Sequence, residues 1–185
     1  MGKIEKIKTG IEGLVIIKPT VFGDDRGFFM ETYNKKNFVE IGITDEFVQD
    51  NHSKSFRGVL RGLHFQKEFP QGKLVRVIKG EVYDAAVDLR KNSLTYCKYY
   101  GLILSEENKL QFFIPKGFAH GFLVISEEAE FVYKCTDFYN PKDEAGLIWN
   151  DPKIGIEWPL EKIGGIKKII QSEKDKNWCS LEELK

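Results

Sequence analysis

Apolar and aromatic residues occur in this chain as short runs, about ten residues apart, each closed by Gly, Pro, Asn or Asp. That rhythm limits the fold more than any other feature, because runs so short suit strands better than stable helices. The pattern predicts strands at Leu14–Lys18, Phe28–Tyr33, Phe47–Asn51, Gly58–Gln66 and Lys73–Lys79. It predicts further strands at Glu81–Leu89, Cys97–Leu104, Leu110–Ile114, His120–Ile125 and Glu130–Phe138. Helical pattern is confined to Lys35–Ile41 and Ser180–Lys185. Gly80, in Lys79-Gly80-Glu81, is placed for a tight turn between two strands, since glycine reaches positive φ without a steric penalty. Many short strands at regular spacing argue for a mainly β sandwich or barrel of jelly-roll type with a few short helices. No repeat, linker or low-complexity tract breaks the 185 residues, so residues 1–185 read as a single domain large enough to bury a core.

Lys plus Arg and Asp plus Glu number 28 each, which leaves no net field to draw nucleic acid or an anionic membrane. No apolar run approaches the roughly 20 residues that span a bilayer. The N-terminus, Met1 to Lys8, mixes charges and lacks the apolar core of a secretion signal. Three widely spaced cysteines, Cys97, Cys135 and Cys179, suit reduced structural thiols in a cytoplasmic protein. Of the 14 Phe, 7 Tyr and 3 Trp, most suit a pleated core and a minority could stack on a planar ring. Trp149, Trp158 and Trp178 are expected to pack the C-terminal segment against the barrel, and His52, in a polar stretch, reads as a surface residue.

Period-two alternation places Val82, Asp84, Ala86 and Asp88 on one side of their strand. Acids alternating with apolar residues suggest that one of them points into a polar cavity. Phe131, Tyr133, Cys135 and Asp137 share a face in the same way, with Tyr139 following on that side. Arg61 and His64 have opposite parity, so both can face one cavity only if the strand bulges, and Gly62 is where a bulge is easiest.

Two motifs carry the chemistry: Gly58-Val59-Leu60-Arg61-Gly62-Leu63-His64-Phe65-Gln66 and Ile114-Pro115-Lys116-Gly117-Phe118-Ala119-His120-Gly121-Phe122. They resemble the two halves of a cupin signature, which implies a cupin-type jelly-roll β-barrel. A metal-binding cupin supplies His-x-His and a Glu from the first motif and a His from the second. Here Gln66 stands at the second histidine position, and two imidazoles make a poor transition-metal site. No metal and no cofactor is expected, and the histidines are read as free for proton transfer.

The flanking segments narrow the resemblance. Asp24-Asp25-Arg26-Gly27-Phe28-Phe29-Met30-Glu31-Thr32, Phe47-Val48-Gln49-Asp50-Asn51 and Arg57 through Gln66 closely resemble the dTDP-4-dehydrorhamnose 3,5-epimerase family. So do Pro70-Gln71-Gly72-Lys73-Leu74-Val75, Val87-Asp88-Leu89-Arg90, Tyr133-Lys134-Cys135-Thr136 and Ser172-Glu173-Lys174-Asp175. These co-linear motifs run from about Ile11 to Trp178, nearly the whole chain. The resemblance implies a nucleotide-linked 4-keto-6-deoxy sugar, dTDP-4-keto-6-deoxyglucose, as substrate. Its C4 ketone acidifies the hydrogens on C3 and C5. Epimerisation then needs a base on one ring face, a group to hold the developing enolate, and an acid on the other face.

The family implies His64 as base, and an ordinary imidazole pKa of about 6.5 leaves it neutral at physiological pH. Asp175 matches its dyad partner, Tyr133 the opposing acid, and Lys73 the enolate stabiliser, with Arg61 as a candidate assistant. Phe29, His120, Arg26 and Glu31 match substrate contacts, with Arg26 suited to phosphate. The resemblance also implies a homodimer in which the N-terminal segment bearing Arg26 and Glu31 serves the partner's site. Gln49, Asn51, Glu144 and Lys174 match nucleotide contacts, and Tyr139 matches a residue stacked on thymine. Asp84 is expected to hold one of the histidines. Three other readings compete: inversion at one carbon only, a metal-dependent cupin oxygenase or isomerase, and a non-catalytic sugar-nucleotide binder.

Overall fold

The computed structural model describes residues 2–184 as two facing antiparallel sheets and a separate hairpin. In chain order the strands are β1 (Ile4–Lys8), β2 (Val15–Pro19), β3 (Val21–Asp24), β4 (Gly27–Met30), β5 (Gln49–Phe56), β6 (Leu60–Gln66) and β7 (Lys73–Lys79). They continue as β8 (Glu81–Asp88), β9 (Tyr99–Ser105), β10 (Gln111–Ile114), β11 (Phe118–Val124), β12 (Glu128–Cys135) and β13 (Glu144–Gly146). One sheet runs β1-β2-β10-β7-β12-β5 and the other β13-β6-β11-β8-β9, while β3 and β4 pair only with each other. This is the expected mainly β, jelly-roll architecture. Among the described residues no helix is long and apolar enough to cross a membrane.

Each strand alternates between two environments. Val75, Val77, Phe112 and Phe131 of the first sheet meet Val82, Ala86, Phe122 and Val124 of the second, forming the core between the sheets. The opposite face of the second sheet presents Leu63, Ala85, Val87 and Leu123 to Ile154, Trp158 and Ile163 from the C-terminal segment. The first sheet's outer face presents Val15, Ile17, Leu74 and Phe113 to Phe38 of helix α1 (Lys35–Glu40) and to Ile43. Because both faces of the central strands are covered, their sequences read as nearly continuous apolar runs.

All ten predicted strands have a counterpart, and Lys73–Lys79 matches to the residue. Strands β1, β3 and β13 were not predicted: three of the five residues of β1 are charged, β3 is fully exposed, and β13 has three residues. The expected helix at Ser180–Lys185 is replaced by a turn over 181–183, with Lys185 outside the described residues. Ser180 and Glu183 do form the side-chain contact of a helix start, but the Leu181 N–H is claimed by Asp151 at 2.7 Å. The short C-terminal helix is instead α2 (Glu173–Lys176), capped by Ser172, whose Oγ accepts from the Asp175 N–H. His52 is exposed and pairs with Glu130.

Candidate active site

A cleft of about 320 Å³ opens between the two sheets. Arg61, His64 and Gln66 of β6 and His120 of β11 line it from the second sheet, and Gln49, Asn51, Lys73, Tyr133 and Cys135 from the first. Tyr139 and Glu144 lie at the same cleft. Phe122 and Phe131, stacked with centroids 4.3 Å apart, join it to the inter-sheet core. Arg61 and His64 share the cleft because β6 is irregular: its register with β11 shifts between His120 and Phe122. Gly62 sits at that point with φ +108, and a Cβ there would collide with the His120 carbonyl.

His64 Nε2 lies 2.6 Å from Asp175 Oδ1. Burial pushes the Asp175 carboxyl up, but hydrogen bonds from His64, Trp178 and the Ser172 cap outweigh it and hold the pKa below the usual range. An ionised acceptor fixes the tautomer: Nε2 carries the proton and donates, and Nδ1 keeps the lone pair. Asp175, read from sequence alone, would pass for a solvated cap. In the fold it is 5% exposed, because α2 closes over the end of β6.

A second dyad lies deeper. His120 is 7% exposed, its Nε2 2.9 Å from an oxygen of the fully buried Asp84. Desolvation lowers its pKa against the opposing pull of Asp84, so the ring is neutral. The other acid on that strand face, Asp88, does not point into the cleft. It accepts bonds from Arg90, Ser93 and Thr95 at 2.6–2.8 Å.

Lys73 and Cys135 face each other across the β7–β12 ladder. Burial depresses the Lys73 pKa, and Cys135, Asp84 and Glu144 act on it only through space. Its ammonium is therefore left for a ligand. Tyr133, two residues from Cys135 on the same face, has its phenol pushed up by burial and stays protonated. Arg61 is steadied by Nε donating to Ser55 Oγ at 3.0 Å.

At the mouth, the Tyr139 hydroxyl and the Lys174 ammonium both donate to Glu144 Oε2. Gln49 Nε2 donates to Asn51 Oδ1, and its own Oε1 accepts from the Tyr139 N–H, each at 2.9 Å. Gln66 uses its amide to tie down the loop before β13. Nε2 donates to the Phe69 and Phe138 carbonyls, and Oε1 accepts from the Asn140 N–H. Among the described residues no three His, Cys, Asp or Glu side chains are grouped as a metal ion would require.

Not every expected residue comes to the cleft. Arg26 and Phe29 sit on the exposed β3–β4 hairpin, where Arg26 forms an ion pair with Asp24 at 2.5 Å. Glu31 accepts from Asn34 and Asn37 beside α1. Asp137 also turns away, because β12 ends at Cys135. Its carboxylate lies 3.8 Å from Lys116 and its carbonyl accepts from Gln71. Two residues given only packing roles do reach the site: Cys135, whose parity with Tyr133 already signalled it, and Trp178, for which the sequence held no signal.

Four likenesses bear on this geometry. The family profile of dTDP-4-dehydrorhamnose 3,5-epimerase matches residues 8–183. A dTDP-4-dehydrorhamnose 3,5-epimerase of Methanothermobacter thermautotrophicus is 57% identical over 183 residues, covering 99% of this chain and 97% of its own. That of Escherichia coli K12 is 52% identical, covering 96% and 95%. The crystal structure of a Legionella pneumophila dTDP-6-deoxy-D-glucose-3,5-epimerase in complex with dTDP-4-keto-L-rhamnose superposes with a TM-score of 0.93 at 49% identity. It covers 98% of this chain and 95% of that one.

Proposed function

The chain belongs to the dTDP-4-dehydrorhamnose 3,5-epimerase family, and on that premise we propose that it converts dTDP-4-keto-6-deoxy-D-glucose to dTDP-4-keto-L-rhamnose. One observation carries the mechanism: His64, paired to Asp175, and Tyr133 approach a single cleft from opposite sheets. A sugar ring held between them would meet a base on one face and an acid on the other.

His64 Nδ1 takes the proton from C3 or C5, and the C–H electron pair moves into the C4 carbonyl to give an enolate. Asp175 stabilises the imidazolium through Nε2. Lys73 faces the enolate oxygen from a desolvated position, where a point charge acts most strongly. Tyr133 then delivers a proton to the opposite face, and before the next cycle the His64 imidazolium releases its proton to solvent and the tyrosinate recovers one. No electron leaves the ring, so base, acid and electrophile suffice.

Arg61, His120, Gln49, Asn51, Tyr139, Glu144 and Lys174 hold the sugar nucleotide, and Asp84 keeps His120 oriented. Tyr139, half exposed at the mouth, stacks on the base. Residues 1–185 act as one domain and assemble as a cytoplasmic homodimer. Support for the dimer comes from the β3–β4 hairpin, which leaves Phe22, Phe28 and Phe29 exposed beside Arg26 and so suits insertion at a partner's site.

The test is proton NMR of dTDP-4-keto-6-deoxyglucose with enzyme in D2O, following the C3 and C5 signals. Deuterium at both carbons with formation of the L-sugar supports the proposal. Exchange at one carbon makes the protein a single-carbon epimerase, and exchange at neither with substrate bound refutes it.

A further inference from the structure

Trp178 is bound to the reacting end of the site by its polar atom as well as its ring. Its Nε1–H donates to Asp175 Oδ1 at 3.1 Å, the same oxygen that His64 Nε2 meets at 2.6 Å. The indole stands edge-on to the imidazole, with centroids 5.9 Å apart, and the Lys174 ammonium lies 5.7 Å from the indole centre.

The seat for this ring is built into the backbone. At Gly146 any Cβ would overlap the indole. The next residue, Cys179, bridges to Leu147, its carbonyl accepts from the Ile148 N–H at 3.0 Å, and its thiol donates to the Gly146 carbonyl at 3.5 Å. Trp158 offers a contrast: it packs on Tyr83 and gives its N–H to the Trp149 carbonyl, as a core tryptophan does.

We propose that Trp178 is a positioning residue for the His64–Asp175 dyad, its indole N–H locking the carboxylate so that His64 is held in one tautomer and one orientation. This rests on the reading of His64 as the base. The carboxylate is the pivot, because with a single donor it could rotate about its own axis and let the imidazole follow. Two donors converging on Oδ1, with the backbone of α2 fixed by Ser172, remove that freedom.

The experiment compares Trp178→Phe and His64→Ala with the parent enzyme, measuring C3 and C5 exchange, kcat, KM and the pH dependence of kcat/KM. The charged or titratable groups around His64 are Asp175 and Lys174 from α2, Glu144 from β13, His120 from β11, Arg61 and Lys73 lining the cleft, Tyr133 and Cys135 from β12, and Tyr139 at the mouth. Trp178→Phe replaces none of them and keeps an aromatic ring beside the Lys174 ammonium, so a moved limb reports the N–H lost from Asp175. Expected for folded Trp178→Phe are a kcat lower by about three- to tenfold, KM within about twofold, and an acidic limb displaced upward by roughly half a unit, since a carboxylate with one donor fewer holds the imidazolium proton more tightly.

A parent-like kcat and limb in Trp178→Phe, with His64→Ala inactive, would overturn the role of Trp178 and leave the base in place. Activity in His64→Ala would instead remove the base. Should Trp178→Phe fail to fold, the parent enzyme decides by NMR. The Trp178 indole N–H must exchange slowly and titrate with the same midpoint as the His64 ring, and independent behaviour would refute the contact.

Discussion

Replacing Asp175 by Asn changes one atom of a carboxylate that accepts from His64 at 2.6 Å and from Trp178 at 3.1 Å, at a site 5% exposed. The steric cost is nil, so the protein should fold. The electrical change is large. An amide turned with its NH2 toward His64 forces Nε2 to accept, which moves the ring proton to Nδ1, where the lone pair is needed. If the amide turns the other way, its oxygen still accepts from Nε2, but the neutral amide lacks the negative charge that stabilises the imidazolium. Losing a charge-assisted bond of about 1.5–3 kcal/mol accounts for roughly a 10- to 150-fold fall in rate. The wrong tautomer adds to that, and the corresponding change in a hydrolase triad costs about 10,000-fold. We therefore expect kcat to drop about 100- to 10,000-fold with KM little changed, read by deuterium entry at C3 and C5. An Asp175→Asn enzyme that keeps more than about a tenth of parent kcat would show that the dyad does not govern proton abstraction.

Tyr133→Phe should uncouple exchange from inversion. His64 can still remove and return a proton on its own face, so deuterium enters while the L-sugar falls about 100-fold or more, and inversion at the parent rate would exclude Tyr133 as the acid. Lys73→Met should lower kcat by about 100- to 1,000-fold and raise Tm, because burial opposes the ammonium; a lower Tm would show that the charge is paired in the native state. Asp88→Asn should lose about 3 kcal/mol at neutral pH, since it leaves Arg90 unpaired at a fully buried acceptor. The Asp88 pKa is depressed by bonds from Arg90, Ser93 and Thr95 that outweigh burial. Its contribution is therefore full above the unfolded carboxyl pKa of about 3.9 and lost as pH falls through the native value. Denaturant titrations of the variant should be flatter than the parent below that pH, and parallel curves would refute the account. Arg26→Ala should raise KM more than it lowers kcat, and mixed Arg26→Ala and His64→Ala dimers should regain activity only if the hairpin crosses to the partner.

The sequence by itself determined ten of the thirteen strands, because period-two burial and glycine turns are local properties of ten or so residues. It determined the two histidines and the absence of a second imidazole at Gln66 for the same reason. It also put Tyr133 and Cys135 on one side of their strand, since alternation along one strand settles which side chains share a side, whereas Lys73 was marked only by the family resemblance. The tertiary structure decided what lies far apart in the chain. Asp175 and Trp178 reach His64 across more than a hundred residues only because the C-terminal segment folds back over the second sheet. A carboxylate in Ser-Glu-Lys-Asp carries no local mark of burial, and a tryptophan carries none of whether its N–H meets a carbonyl or a buried carboxylate. The β3–β4 hairpin shows the same limit, since its phenylalanines look like any strand's in sequence and only the fold shows that Phe22, Phe28 and Phe29 stay largely exposed. Pattern reports which face a side chain takes; which partner waits on that face is set by how the sheets and the C-terminal segment close upon one another.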